Sequence, residues 1–356
     1  MSQEFIPPKL PINVDFETIK ILKKTISANK ALANLNGVSK IIPNRAILIN
    51  SLVLQEAKDS SEIENIITTH DEIYKATVDS LHISKEAKEV QNYREALLKG
   101  LSLVQDNKLL LKKYIIEIQQ ELEQNEAGIR KQSGTNLKNQ NTGEVIFIPP
   151  QDYEIIQDLL DNLEKYINEP NDIDPLINMA IIHYQFETIH PFYDGNGRTG
   201  RIINILYLIL NDLLDIPILY LSNYIIQHKS DYYRLLQEVR TKNSWEEWIL
   251  YILDSVEKTS LETIDLVNNI KELMDKNKLE LKEKLPKIYS KDLLEIIFMH
   301  PYTKIDFLVD KLELHRDTAA KYLKQLESIG LLESIKIGRN KYFIHIELFN
   351  ILKKGI

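Results

Sequence analysis

The sequence predicts a mainly α-helical fold with one small β-hairpin and a C-terminal winged helix-turn-helix. Three observations carry this. Segment after segment places apolar residues at i, i+3, i+4 spacing, the pattern of amphipathic helices. One stretch, residues 128–150, breaks that period with turn residues around a short β-rich run, "EVIFI". From residue 290 onward the pattern becomes helix, turn, helix and two strands.

The elements follow in order. A Pro-rich arm, "FIPPKLP", precedes a first helix, "TIKILKKTISANKALANL". Past Pro43 comes "NRAILINSLVLQEAKDSSEIENI", then "SKEAKEVQNYREALLKGLSLV" and "LKKYIIEIQQELEQN", all of helical period. The hairpin turns at Asn141-Thr142-Gly143 and ends at Pro149-Pro150. Helix resumes at "DYEIIQDLLDNLEKYI", and Asp174-Pro175 opens the next, "DPLINMAIIHYQFETIH". The chain divides into an N-terminal helical region (1–110), a central core (111–255), a helical linker (256–289) and a C-terminal module (290–356), with Pro286 and Ser290 at the last boundary.

Composition narrows the function classes. The 356 residues are 44% hydrophobic and 27% charged, with a net charge of -8, so the whole molecule is no polycation seeking nucleic acid. There are no cysteines, which excludes disulfides, thiolate catalysis and a Cys-type zinc site and fits a reducing cytoplasm. The N-terminal residues lack a basic, then apolar, signal-peptide pattern. The most apolar window, "RIINILYLILNDLLDIPILYL", is interrupted by Asn204, Asn211, Asp212, Asp215 and Pro217 and reads as a buried helix and turn, not a membrane span.

The chemistry concentrates in "HPFYDGNGRTGR", His190 to Arg201, which holds three of the 11 glycines. Pro191 disfavours helical geometry at the residue before it, so a helix should end at about His190 with the ring facing a cleft. Gly195 and Gly197 let the backbone turn and approach a ligand. Successive amides followed by a helix N-terminus make an anion site. Arg198 and Arg201, three apart, are expected to share a helix face and fork hydrogen bonds to phosphate. A carboxylate at the loop's mouth, Asp194, suits Mg²⁺ held largely by phosphate oxygens. Together these describe a phosphate-transfer site.

This stretch resembles the signature of the Fic (filamentation) family, H-x-F-x-[DE]-G-N-G-R-x-x-R, at every fixed position. The resemblance extends over most of residues 1–255, including the "FIPPKLP" arm, the "FIPP" hairpin and "SNYIIQHKSDYYRLLQEVR". It implies a helical core with a β-hairpin flap and transfer of AMP from ATP to a hydroxyl on a protein. His190 would be the general base. Asp194 would hold Mg²⁺, the amides of Gly195, Asn196 and Gly197 would cradle phosphate with help from the Asn196 side chain, and Arg198 and Arg201 would grip the β- and γ-phosphates. Thr199 and Gly200 fall within the same ATP-binding stretch, and Phe192 would bury as its anchor. The hairpin at Glu144, Val145, Ile146 and Phe147 resembles the flap, which would line the nucleotide cleft and dock a target strand. Tyr232 and Tyr233 match a pair near the adenine. His183, on one helical face with His190, is taken as packing or as support behind the site residues.

Two further signals lie outside the motif. "SSEIENI" carries Ser60, Glu64 and Asn65, which match the family's inhibitory pattern [ST]-x-x-x-E-[GN] on a helix at about 58–68. A glutamate paired bidentately with Arg201 would occupy the partner of the γ-phosphate and so inhibit, and in some relatives it serves removal of AMP. In the C-terminal module, 11 Lys+Arg face 9 Asp+Glu, and Arg316, Lys321, Lys324, Lys336, Arg339 and Lys341 are placed to meet DNA phosphates. Such modules also dock proteins or form homodimers. The implied partners are therefore ATP, a target protein and the chain itself as acceptor, with no membrane. Other nucleotidyl or phosphoryl transfer on the same fold, and a DNA-binding regulator, are the competing readings. The "G-N-G" loop, where phosphotransferase relatives have A-N-K, favours AMP transfer.

Overall fold

The structure, a computed structural model, describes residues 4–78, 83–138, 143–337 and 340–354. Its first helices are α1 (Ile19–Val38), α2 (Arg45–Ile63), α3 (His70–Val78), α4 (Lys85–Asn107) and α5 (Lys112–Glu123). Strands β1 (Leu137–Lys138) and β2 (Val145–Phe147) pair antiparallel as the expected hairpin. Of its predicted turn, Asn141 and Thr142 lie outside the described residues. Then come α6 (Tyr153–Asn168), α7 (Pro175–Ile189), α8 (Asn196–Leu210), α9 (Leu221–Gln227), α10 (Lys229–Lys242) and α11 (Trp245–Lys284).

Local chemistry sets these boundaries. Thr18, Asn44, Ser84, Asp152 and Asp174 each turn a side-chain oxygen onto a first-turn amide, and Pro175 follows Asp174 where its missing N–H does no harm. Helices α7 and α8 are buried on nearly every side and form the centre of the molecule, the expected state of helices apolar all round. Gly100 lets α4 approach them, since a Cβ there would lie 2.6 Å from Leu206 Cδ1. Trp248 on α11 is fully buried, lies parallel to the His183 ring at 6.0 Å and donates its indole N–H to the Ala180 carbonyl at 2.8 Å. Trp248→Ala should therefore lower stability by about 3–5 kcal/mol, read as an earlier urea midpoint with an unchanged slope.

The C-terminal part runs α12 (Lys291–Met299), β3 (Tyr302–Thr303), α13 (Ile305–Leu312), α14 (Arg316–Ser328), β4 (Glu333–Ile337), β5 (Asn340–Ile344) and α15 (Ile346–Lys354), with antiparallel sheet order β3-β5-β4. The two-residue β3 and the closing α15 are additions to the pattern read from sequence, as is α3. Residues 256–284 are not a separate linker. They continue α11 without a break, and Val256, Thr259, Val267, Ile270 and Leu281 are buried along it. The C-terminal part packs directly on the N-terminal helices: Gln55 Nε2 donates to the Leu352 carbonyl at 2.8 Å, and the Tyr74 and Tyr302 rings stack. Two of the basic residues proposed for DNA are already paired, Arg316 with Asp306 and Lys341 with Glu327, and Arg339 lies outside the described residues. Among the described residues no helix is long and apolar enough to cross a membrane.

Candidate active site

Helix α7 ends where Pro191 predicts. His190 is its C-cap in the left-handed conformation, φ 49°, with its N–H on the Phe186 carbonyl at 3.0 Å. A non-glycine residue there is strained by about 1–3 kcal/mol and persists only when its surroundings hold it. They do so from two sides. The Asn196 side chain accepts from the Phe192 N–H at 2.8 Å and donates to the Phe192 carbonyl at 2.9 Å, while Phe192 itself is fully buried. Arg130 N–H and Nε–H reach the Pro191 and His190 carbonyls at 2.9 and 2.8 Å. Burial, then the positive charges of Arg130 and Arg240, push the His190 imidazole down to about 4 against an opposing pull from Glu64, so at neutral pH the ring is an uncharged base.

The loop turns at Gly195, φ 78°, and α8 starts at Asn196. The Gly195 N–H is taken by Asp194 Oδ1 at 2.7 Å and the Thr199 N–H by the Gly195 carbonyl at 2.9 Å. The amides left without an acceptor within the helix are therefore those of Asn196, Gly197 and Arg198, one residue on from the set expected to cradle phosphate. Asn196's side chain braces Phe192 with its oxygen and one of its two amide hydrogens. The Thr199 side chain is buried, its Oγ1 without a partner among the described residues, and Gly200 serves packing, since a Cβ there would lie 2.9 Å from Glu187 Oε1.

The two arginines do not act as a pair. Arg201, 1% exposed, gives Nε–H to Ser60 Oγ at 2.7 Å and one Nη2 to both the Ser60 carbonyl and Glu64 Oε1 at 2.9 and 2.8 Å. Ser60 and Glu64 thus hold one guanidinium together, as the pattern predicts, but Glu64 makes a single contact where a bidentate one was expected. The reason is local: α2 ends at Ile63, Glu64 is its C-cap and Asn65 turns left-handed at φ 63°, so no helix extends to residue 68. Asn65 Oδ1 accepts from Lys229 Nζ at 3.3 Å. Gly197 is open because Glu64 needs the space, a Cβ there lying 2.3 Å from Glu64 Oε1. Arg198 turns instead toward α4 and α5, where Nη1 meets Glu89 at 2.9 Å and Nη2 meets Glu123 at 2.7 Å. Each guanidinium is paired with at least one carboxylate in this state, although Arg198 Nε has no partner among the described residues. The Glu123 carboxyl is pushed up to about 7, first by burial, then with Arg198 opposing and Asp194, Glu89 and Glu64 adding to the rise.

The flap and tyrosines divide their roles. Ile146 is exposed, but Phe147 is buried under the Arg240 guanidinium, 3.7 Å from its ring centre, so it anchors the hairpin and does not line a cleft. Glu144 and Val145 lie on the hairpin's outer part. Tyr232 is core, its hydroxyl 2.8 Å from His183 Nε2, and Tyr233 alone of the pair is exposed. His183 is packing, as expected. Arg130, Glu89, Glu123 and the buried Glu187 escaped sequence reasoning, for as single charged residues they carry no spacing signal.

Glu64, His190, Tyr193 and residues 194–198 surround a cavity of about 110 Å³, small beside the 300–1,000 Å³ typical of ligand pockets. A larger open cavity of about 730 Å³ lies far from this chemistry, between α11 and α15. The residues fit Mg²⁺ in the manner of a phosphate-bound ion. Asp194 spends one carboxylate oxygen on Gly195 and keeps the second, and among the described residues no cluster of three or more such groups would hold a metal unaided.

Three family models match the sequence. They are the Fic/DOC family N-terminal region over residues 22–102, the Fic/DOC family over 109–208, and the C-terminal domain of SoFic-like protein adenylyltransferases over 273–348. A probable protein adenylyltransferase of Aquifex aeolicus is 27% identical over 186 residues, 51% of this chain and 54% of that one. The protein adenylyltransferase Fic of Drosophila grimshawi is 32% identical over 106 residues, 28% of this chain and 20% of its own. The chain thus spans about half the length of the first relative and a fifth of the second. A Fic family protein from Desulfovibrio desulfuricans superimposes with a TM-score of 0.59 at 18% identity, covering 94% of this chain and 97% of that one. Fic-1 from C. elegans gives 0.53 at 19%, covering 69% and 72%. With two Fic/DOC models spanning about half of the sequence around a complete motif, and this fold beneath it, the chain belongs to the Fic/DOC family.

Proposed function

We propose that this protein transfers AMP from ATP to a hydroxyl of a target protein, and to itself, and that Glu64 restrains it. The observation that carries this is an uncharged His190 beside the first-turn amides of α8, with Arg201 sequestered by Ser60 and Glu64 at the same opening. In the reaction the His190 ring takes the proton of the acceptor hydroxyl as its oxygen forms a bond to the α-phosphorus. The bond from that phosphorus to the bridging oxygen breaks, and pyrophosphate leaves with the electron pair. The amides of Asn196, Gly197 and Arg198 stabilise the charge that develops on the phosphate oxygens. Once Glu64 moves off, Arg201 has the donors to meet the γ-phosphate. Mg²⁺, held by Asp194 and the phosphates, would supply further neutralising charge.

Incubation of the purified protein with ATP and Mg²⁺, followed by intact-mass measurement, should show a gain of one AMP. Label should enter from α-labelled and not from γ-labelled ATP. Incorporation of γ-label would assign phosphoryl transfer instead, and no incorporation even after Glu64→Gly would remove the proposal.

A further inference from the structure

Arg130 is completely buried, yet among the described residues its side chain makes no direct hydrogen bond to a carboxylate, and Glu4 acts on it only from a longer distance. Its partners are carbonyls. Nε–H donates to the His190 carbonyl at 2.8 Å, and Nη2 donates to the Pro150 carbonyl and, at 3.5 Å, to that of Ile189. Its backbone N–H meets the Pro191 carbonyl at 2.9 Å, and its neighbour Ile129 bridges to Phe192. Nη1 is buried with no partner among the described residues.

A buried arginine without a directly bonded counterion is expensive, and a fold tolerates one chiefly where position or charge serves something else. Two features locate that service. The last carbonyls of a helix lack intrahelical partners and favour a cation, and here the cation comes from sixty residues upstream, outside the helix. Residues 130 and 150 also flank the β1–β2 hairpin, so the guanidinium closes the hairpin's neck in the act of holding the end of α7. One side chain thus ties the flap to the left-handed turn that aims the His190 ring.

We propose that Arg130 is a positioning residue for the transfer reaction: it fixes the flap and His190 in one register, so that a hydroxyl presented on the flap arrives at the base. This rests on the AMP-transfer reading above. The charge contributes as well. Burial is the main cause of the ring's lowered proton affinity; of the charged groups facing His190, Arg130 from the flap's neck and Arg240 from α10 add to it, and Glu64 from the end of α2 opposes it. Removing Arg130 raises the histidine's affinity for a proton, which moves the acidic limb of the activity profile upward.

The test uses the full chain in a Glu64→Gly background, with Arg130→Lys and Arg130→Met. Three quantities are followed: maximal self-modification rate, the ATP concentration giving half that rate, and amide exchange of residues 131–138 and 143–148. Arg130→Lys keeps the charge but cannot span three carbonyls. Its maximal rate should fall by about 10²-fold with half-saturation within threefold of the parent, and exchange in the hairpin should quicken. Arg130→Met should show the same loss and, in addition, an acidic limb raised by about one pH unit or more. Parental rates in Arg130→Lys with a loosened hairpin would overturn the proposal. So would equal loss of ATP affinity and rate in both variants, or failure of both to melt cooperatively, since each marks plain structural support. If the Glu64→Gly parent binds a fluorescent ATP analogue but transfers nothing, the transfer reading has failed, whereas the exchange data still report on the tie between flap and helix.

Discussion

Glu64→Gly should raise self- and target-modification at least tenfold, a gain that needs only about 1.4 kcal/mol. The carboxylate occupies one Nη of Arg201 at 2.8 Å and lies at the opening of a cavity too small for a nucleotide. Removing it frees a donor and a volume at once. Arg201 is 1% exposed, so its pairing is partly desolvated and worth more than that of a surface pair, which contributes about 0–1 kcal/mol. Ser60 would continue to hold Arg201 through Oγ and the carbonyl, keeping the guanidinium aimed rather than loose. Arg201→Ala in the Glu64→Gly background should cancel the gain, because it removes the group that the glutamate hides. Unchanged or lower activity in a folded Glu64→Gly protein would exclude inhibition by this residue.

His190→Ala should abolish transfer while ATP still binds. The base sits at the end of α7, whereas the phosphate donors, the first-turn amides and Arg201, belong to α8. Loss of a positioned general base slows such reactions by roughly 10²–10⁴-fold. The variant is best made in the Glu64→Gly background, with incorporation of α-label measured beside nucleotide affinity. Parental transfer rates would show that another group takes the proton.

The site was legible in sequence to the extent that its residues are contiguous. Residues 190–201 announce themselves because a helix stop, two loop glycines and two arginines must follow one another to build an anion site. Ser60 and Glu64 were legible as a pattern one helical turn long. What the pattern could not give was geometry, for the end of α2 at Ile63 turns an expected bidentate pair into a shared grip by two residues. Contacts assembled across the fold left no trace. Glu89, Glu123 and Arg130 carry no spacing signal, and only packing reveals that they hold Arg198 and His190. The burial of Tyr232 and Phe147 was not legible for the same reason, since burial of an aromatic depends on neighbours distant in the chain. Most long helices show in their period, though α11 crosses the boundary expected at residue 255, while α3, at nine residues, and β3, at two, are too short for a period to show.

The contact between Arg201 and Glu64 is lopsided: the arginine is sealed in the core, but the glutamate's side chain is 35% exposed, at a turn just past a helix end. Under the proposed inhibition it would work as a catch with a fixed bolt and a reachable latch. Opening it displaces a few residues at the surface and leaves the hydrophobic centre untouched, so the closed and open forms can interconvert in microseconds to milliseconds instead of awaiting any larger unfolding. The resting rate then measures how often the latch is up. A tenfold rise on deleting it means that about one molecule in ten, or fewer, is open at a given moment. Any signal that holds the turn at residues 64–65 away from Arg201 would set the enzyme's output without touching a catalytic atom.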